Sequence, residues 1–523
     1  MTDQLFLAVD AGTGSVRAVL FDTDGRQIGV VQEEWTHLSD PAWPGSMDFD
    51  WEHNWALACS CIRAVLEQTK TDPARIAAVS TTCMREGILL YDREGKEIWA
   101  CANVDSRAVD EVRALVEKDR ELEKQLYARS GEAYALGALP RLLFVKNKMP
   151  DIYEKTAAVG MFNDWLIYKM TGVLKVEPSN GSTTGIFDLR TRTWDPGIAK
   201  AVGIRTDIFP ESCECGERIA CVSKKGADDT GLKEGTPVVS GGGDCQLGCI
   251  GVGAVHADDA AVFGGSFWQY EYNTAKALTD PACRIRVNCH ALKGLWQYEA
   301  LAFQPGLVMR WYRDAFCARE KEIAKETGAD PYDLMNEEAK KIPAGCYGMM
   351  CTFSDVMNFT SWRHAAPTFT GFDIDPEKYH RITFYRAILE NAALVTYEHM
   401  RLVEEVTGHA PKEITFAGGA SKSPLWCQIL SDVTGLAVRV PVVREATALG
   451  AAMLAGVGCG IYADIDEAVK RCVKTAHTYT PDDTAHGVYQ DMIPVWKKVY
   501  AAQLALSDAH VTRYMWCAPG ASA

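Results

Sequence analysis

The chain predicts a mixed α/β protein built from two domains. Apolar, β-branched runs alternate with helical stretches along most of its length. Two distant segments, Leu5–Ser15 and Pro237–Gly248, share one design, an apolar run that ends in glycines and an aspartate. The length of 523 residues, at roughly 150 per domain, asks for two to four folding units.

In chain order, LFLAVDAGTGS is followed by the strand VRAVLFD, a turn at Asp24-Gly25 and a third strand, QIGVVQEEW. A helix is predicted over 51–68, a strand over 76–82 and a strongly charged helix over 107–129. PVVSGGGDCQLG, with CIGVGAV and then AAVFGGSFWQ behind it, reads as the leading hairpin of a second domain. The boundary is therefore expected near 234–246, giving domains 1–244 and 245–523. A long helix over 382–404, a strand at 414–419, a helix at 424–433, a strand at 438–443 and an alanine-rich helix from 446 complete the pattern.

Composition narrows the function. With 54 basic against 69 acidic residues and a net charge of −15, the surface repels phosphate backbones and anionic membranes, so neither nucleic acid nor a membrane is an expected partner. The apolar stretch Ala448–Ala463 is shorter than the roughly 20 residues of a membrane span and contains four glycines. Eighteen cysteines in a long chain with no secretory leader point to reduced thiols and a cytoplasmic setting. The pairs Cys59/Cys61 and Cys213/Cys215 lack the companion spacing of a structural zinc site.

The chain contains no G-x-x-x-x-G-K-[ST] loop, no H-E-x-x-H helix, no G-x-S-x-G elbow and no G-x-G-x-x-G after a strand. Its glycine turns are of another kind. Asp10 to Ser15 joins two strands, and there the small residues Gly12, Thr13, Gly14 and Ser15 let amides and hydroxyls approach a phosphate, with Asp10 able to orient a hydrated Mg²⁺. An ordinary hairpin turn would use the same residues. Gly264-Gly265-Ser266 and Gly418-Gly419-Ala420 are two further turns of this type, and three together suit a nucleotide held between two domains.

Asp244, after three glycines, stands where a general base would be placed, although a helix N-terminus would also use it. Arg85 and Glu86 lie between two strands and can read hydroxyls or carbonyls as donor and acceptor, or form a plain surface ion pair. Asn103, Asp105 and Arg107 form a similar polar group. None of the eleven histidines has metal-ligand spacing.

Taken together, DAGTGSVRA at 10–18, GGGDCQLG at 241–248, GGSF at 264–267 and AGGASKSPLWCQILSD at 417–432 resemble the ordered motifs of the FGGY carbohydrate kinases. The resemblance spans residues 5 to about 460. It implies two ribonuclease H-like domains of the actin-like ATPase type flanking a deep catalytic cleft, substrate held by the first and ATP by the second. It further implies Asp244 as catalytic base, and Arg85, Glu86 and Asp105 as readers of the acceptor. Thr13, Gly14, Ser15, Gly265, Ser266, Gly306, Gly418, Gly419 and Ala420 would lie around ATP, and Asp10 would position Mg²⁺ through water. A homodimer is compatible with it.

Five passages single out one branch of the family: PGSMDFD at 44–50, CMREG at 83–87, WACANVD at 99–105, PSNGSTTG at 178–185 and HAAP at 364–367. One departure is Ser266, where many relatives have threonine, which leaves the hydroxyl less fixed. A kinase for another ketose or polyol would share the same machinery. A nucleotide-dependent sensor would share the fold but has no use for a base at Asp244.

Overall fold

The computed structural model describes residues 4–356 and 362–520. Two sheets dominate it. The first contains β1 (Leu5–Ala11), β2 (Ser15–Asp22), β3 (Gln27–Glu34), β4 (Ile76–Cys83), β5 (Arg218–Cys221) and β6 (Pro237–Gly243), in the order β5-β6-β4-β1-β2-β3. The second contains β7 (Ala260–Gly264), β8 (Trp268–Thr274), β9 (Arg286–Cys289), β10 (Trp296–Leu301), β11 (Glu413–Ala417), β12 (Ala437–Pro441) and β13 (Thr475–Tyr479), in the order β9-β10-β8-β7-β11-β12-β13.

The two sheets repeat one plan. In each, three antiparallel strands (β3-β2-β1 and β10-β8-β7) are followed by two parallel ones (β4-β6 and β11-β12) and an antiparallel edge. This is the duplicated α/β plan of the actin-like ATPases, and it puts the β1–β2 and β7–β8 hairpin turns in equivalent positions.

Both faces of the first sheet are covered, which explains its near-continuous apolar strands. Leu5, Leu7 and Val9 pack with Ile62 and Val65 of α1 (Trp51–Gln68). Phe6 and Ala8, on the opposite face, pack with Leu247 and Ile250 of α2 (Asp244–Val252). In the second half α3 (Arg381–Thr407) contributes Ile388, Leu389, Ala392 and Val395 to a core shared with Trp426 and Leu430 of α4 (Pro424–Thr434). The alanine-rich α5 (Ala446–Gly458) crosses back to the first half, where its small side chains share a core with α2 and β1. A side chain added at Gly450 would strike the Leu247 carbonyl, and one at Gly251 the Ala446 carbonyl, so two glycines permit the backbone contact that joins the halves.

The structure corrects two sequence expectations. Pro237–Gly243 is not the leading hairpin of a second domain: it is a parallel strand of the first sheet, and CIGVGAV begins inside α2. A strand buried between two neighbours has the same apolar, glycine-ended signature as a leading strand. The hairpin that leads the second sheet is β7–β8. The charged stretch 107–129 is two helices, Val109–Lys118 and Arg120–Ser130, because Asp119 leaves helical geometry and caps the second through the amides of Glu121 and Leu122.

Candidate active site

Two pockets take in the three turns that the sequence marks, one lined by Thr13 and the other by Gly265, Ser266, Gly419 and Ala420. Asp10 sits at the end of β1, 7 % exposed, with Arg17 at 3.6 Å. Burial pushes its carboxyl up to about 7; Arg17 opposes this, and the nearby Asp244 and Glu445 add to it. The turn beyond is fixed from both sides. Gly12 N donates to Ser15 O, Trp35 Nε1 donates to the carbonyls of Gly12 and Thr13, and Trp35 N donates to Gly14 O. Asn103 Nδ2 holds the Thr13 hydroxyl at 3.0 Å.

Asp244 opens α2 at its first helical position, with Gly243 as the N-cap. Its Oδ1 accepts from its neighbour's amide, Cys245 N, at 2.8 Å and from Arg85 Nε at 3.1 Å. The rest of the side chain, 43 % exposed, faces a cavity of about 910 Å³. Removal from bulk water raises this carboxyl above its ordinary value, with Arg85 opposing and Glu86 and Glu299 reinforcing.

Arg85 and Glu86 do not form an ion pair with each other. Arg85 is buried and reaches across the cleft to Glu299 on β10 and to Cys245 Sγ at 3.1 Å, while Glu86, at a φ of 64°, pairs with Arg286 on β9 at 2.5 Å. Arg286 also bonds Glu132 at 2.7 Å. Burial alone would raise Glu299, but Arg85 and Arg286 outweigh it and hold the carboxyl down at about 2. Glu132, whose burial outweighs Arg286, is pushed up to about 7. Glu271, opposite Glu299 on β8, is fully buried with neither oxygen bonded, and burial drives its carboxyl well upward.

Asp105 departs from expectation. It belongs to the wall of the same cavity, yet its side chain has no exposure: Oδ2 accepts from Met47 N at 2.7 Å and Arg107 Nε at 2.8 Å. Arg141, unmarked in the sequence, ties this wall together by donating to the carbonyls of Glu86, Asn103 and Asp105.

A second pocket, about 250 Å³, lies beside the first and gathers Gly265, Ser266, Gly306, Gly419 and Ala420. Gly306 lies against the Gly265 carbonyl, where any side chain would collide. Gly418, at a φ of 90°, approaches Gly264 in the same way. Arg310, Asp330, Asp333, Lys422 and Ser423 form the polar part of the remaining wall, and Met309, Tyr332, Asn336, Tyr385 and Trp426 a largely apolar part with an amide, suited to a purine. Sequence reasoning missed the latter five, since they lie on ordinary helices with no local signature.

Two glycine-walled turns, a half-exposed carboxylate facing a polar cavity and an adjoining purine-sized slot fit a small-molecule kinase of the actin-like superfamily. The chain belongs to the FGGY family of carbohydrate kinases: residues 5–251 match its N-terminal domain and 272–459 its C-terminal domain. It is 50 % identical over 515 residues to an autoinducer-2 kinase of Klebsiella pneumoniae subsp. pneumoniae, covering 98 % of this chain and 97 % of that one. The autoinducer-2 kinase of Escherichia coli (strain K12) is 48 % identical over the same coverage. Among solved structures, xylulose kinase from Rhodospirillum rubrum superposes with a TM-score of 0.84 at 24 % identity, covering 96 % of this chain and 99 % of that one. Plasmodium falciparum glycerol kinase with ADP gives 0.82 at 20 %, covering 96 % and 98 %. Family membership makes this chain a kinase of a small molecule, with ATP as phosphoryl donor. Among the described residues, no helix is long and apolar enough to cross a membrane.

Proposed function

We propose that the chain transfers the γ-phosphoryl group of ATP to the primary hydroxyl of open-chain autoinducer-2, dihydroxypentanedione, in the cytoplasm. The observation that carries the reading is Asp244, whose free carboxylate face opens into the same cavity as the Thr13 turn and next to the glycine-walled slot. The acceptor hydroxyl, bound against Asp244, gives its proton to that carboxylate as its oxygen attacks phosphorus. Arg85 Nε fixes the carboxylate's orientation, while Glu299 gives the same guanidinium a second counter-charge. Arg85 and Glu86 present a donor and an acceptor to the acceptor's other oxygens.

ATP lies with adenosine in the slot of Gly306, Gly419 and Ala420. Its phosphates point towards Gly265, Ser266 and the Thr13–Ser15 turn, whose amides and hydroxyls stabilise the charge of transfer. The surroundings of Asp10 fit Mg²⁺: it is a hard oxygen ligand whose proton affinity is raised by two nearby carboxylates, Asp244 and Glu445, with Arg17 opposing. Bound there through waters held by Asp10, Mg²⁺ would neutralise the β- and γ-phosphate oxygens.

A substrate panel with product identification tests the reading. Dihydroxypentanedione should be phosphorylated with a kcat/KM at least about tenfold above xylulose, ribulose or glycerol, because unmatched polar groups around Arg85 and Glu86 penalise the wrong acceptor. A common pentulose or glycerol as best substrate would replace the acceptor and keep the mechanism. ATP turnover that no acceptor stimulates would favour a sensor.

A further inference from the structure

The matched family domains end at residue 459, yet the chain continues and returns to the cleft. After β13 and a helix over Asp483–Asp508, the strand Tyr514–Cys517 pairs antiparallel with Arg363–Ala365, setting Trp516 opposite His364. The pairing is pinned at one end by Asp508, which accepts from Arg363 and from the Tyr514 hydroxyl, and at the other by Ala518 N, which donates to Trp362 O at 2.9 Å. Beyond it the chain reaches the first half, where Gly520 sits against Val109 and Val112.

This returning strand completes an aromatic wall. Trp516 lies 4.5 Å from Trp362 and 5.1 Å from Phe303 between ring centroids, and Phe303 meets Phe267 at 6.0 Å. His364 lies tilted against Phe303 with centroids 4.8 Å apart, and burial pushes its pKa down to about 3, so the wall carries no charge there. Trp516, Trp362 and Phe303 line the same cavity as Asp244, Arg85 and Glu86. One end of that cavity is therefore ionic and the other aromatic.

We infer that Trp516, supported by Trp362 and Phe303, determines acceptor specificity by receiving the end of the substrate remote from the phosphorylated hydroxyl, and that it selects an apolar methyl end over a hydroxymethyl end. The inference rests on the proposed acceptor. Dihydroxypentanedione has a methyl ketone at the end opposite its primary hydroxyl, whereas a pentulose has a second hydroxymethyl there. With the reacting hydroxyl on Asp244, the methyl group meets the aromatic wall and loses water at no polar cost. The pentulose brings a hydroxyl out of water against aromatic faces, where an indole N–H can donate but nothing on the three rings accepts the hydroxyl's own proton. An apolar wall of this kind separates methyl from hydroxymethyl by about 10- to 100-fold, less than a missing hydrogen bond at the ionic end would. The adenine slot lies elsewhere, so this wall is free to serve the acceptor.

The test measures kcat/KM for dihydroxypentanedione and D-ribulose in the wild type, Trp516→Ala and Trp516→Phe, with the KM for ATP and the melting temperature as fold controls. Trp516→Ala should lower the dihydroxypentanedione-to-ribulose ratio at least about tenfold, mainly through KM for dihydroxypentanedione, and Trp516→Phe should hold it within about threefold. A folded Trp516→Ala enzyme with an unchanged ratio overturns the role of the wall. Wild-type enzyme that does not use dihydroxypentanedione overturns the proposed acceptor itself, and that result is read before any variant is made.

Discussion

Asp244→Asn separates the chemistry of the base from the architecture around it. The carboxylate oxygen that accepts from Cys245 N and Arg85 Nε has a direct counterpart in the asparagine carbonyl, so both bonds survive. The other oxygen faces the cavity and becomes an NH₂ that cannot accept a proton. Arg85 keeps Glu299 as counter-charge, so the substitution leaves no buried cation unpaired and should shift the melting temperature by only a few degrees. Loss of a positioned base should lower kcat by roughly 10² to 10⁴, or about 3 to 5 kcal/mol of transition-state stabilisation. ADP release with dihydroxypentanedione reads the turnover, and titration calorimetry with a nonhydrolysable ATP analogue reads the slot, which Asp244 does not line. A folded variant that binds nucleotide and retains kcat within about threefold of wild type would refute the assignment. Asp244→Ala is the companion: it strips Arg85 Nε of its partner as well, and should cost stability in addition.

Gly306→Ala should raise the KM for ATP at least about tenfold while sparing acceptor KM, because the new methyl collides with the Gly265 carbonyl in the slot wall; equal effects on both substrates would count against the slot. Asp10→Ala should raise the Mg²⁺ concentration needed for half-maximal activity, and a Mg²⁺ titration identical to wild type would return Asp10 to a mere turn residue. Asp10 and Glu132 hold their protons to about 7 in the folded chain, against 3.8 and 4.5 ordinarily, so the folded state binds protons that the unfolded state has released. Their contribution to stability is complete below about pH 4 and falls as the pH rises through 7; the melting temperature of the nucleotide-free protein should decline over that range, and Glu132→Gln should flatten the decline.

What the sequence determined by itself was local. The turns at Asp10–Ser15, Gly264–Ser266 and Gly418–Ala420 are legible because close approach of backbone to backbone or ligand restricts the choice to very small residues, wherever the rest of the chain goes. The helices α1, α3, α4 and α5 are legible from periodicity, and their bounds lie within a few residues of expectation. The prominence of Asp244 comes from the three glycines before it. Membership of a strand in one sheet or the other was not legible: Pro237–Gly243 is apolar in either, and only its pairing with β4 shows that it closes the first sheet.

The electrostatic half of the cleft was decided by tertiary structure alone. Arg85 meets Glu299 across 214 residues and Arg286 meets Glu86 across 200, and a glutamate on β10 has the same local spacing whether it faces the cleft or solvent. Asp105 was read as a free acceptor because its sequence neighbours are polar, whereas folding turns it into the wall and gives it to Arg107 and the Met47 amide. Trp516 carries no signal at all in the chain, being one aromatic residue in a short C-terminal strand. It lines the cavity only because that strand pairs with Arg363–Ala365, and pairing between distant segments is settled by the energy of the whole packed structure rather than by either segment's own preference.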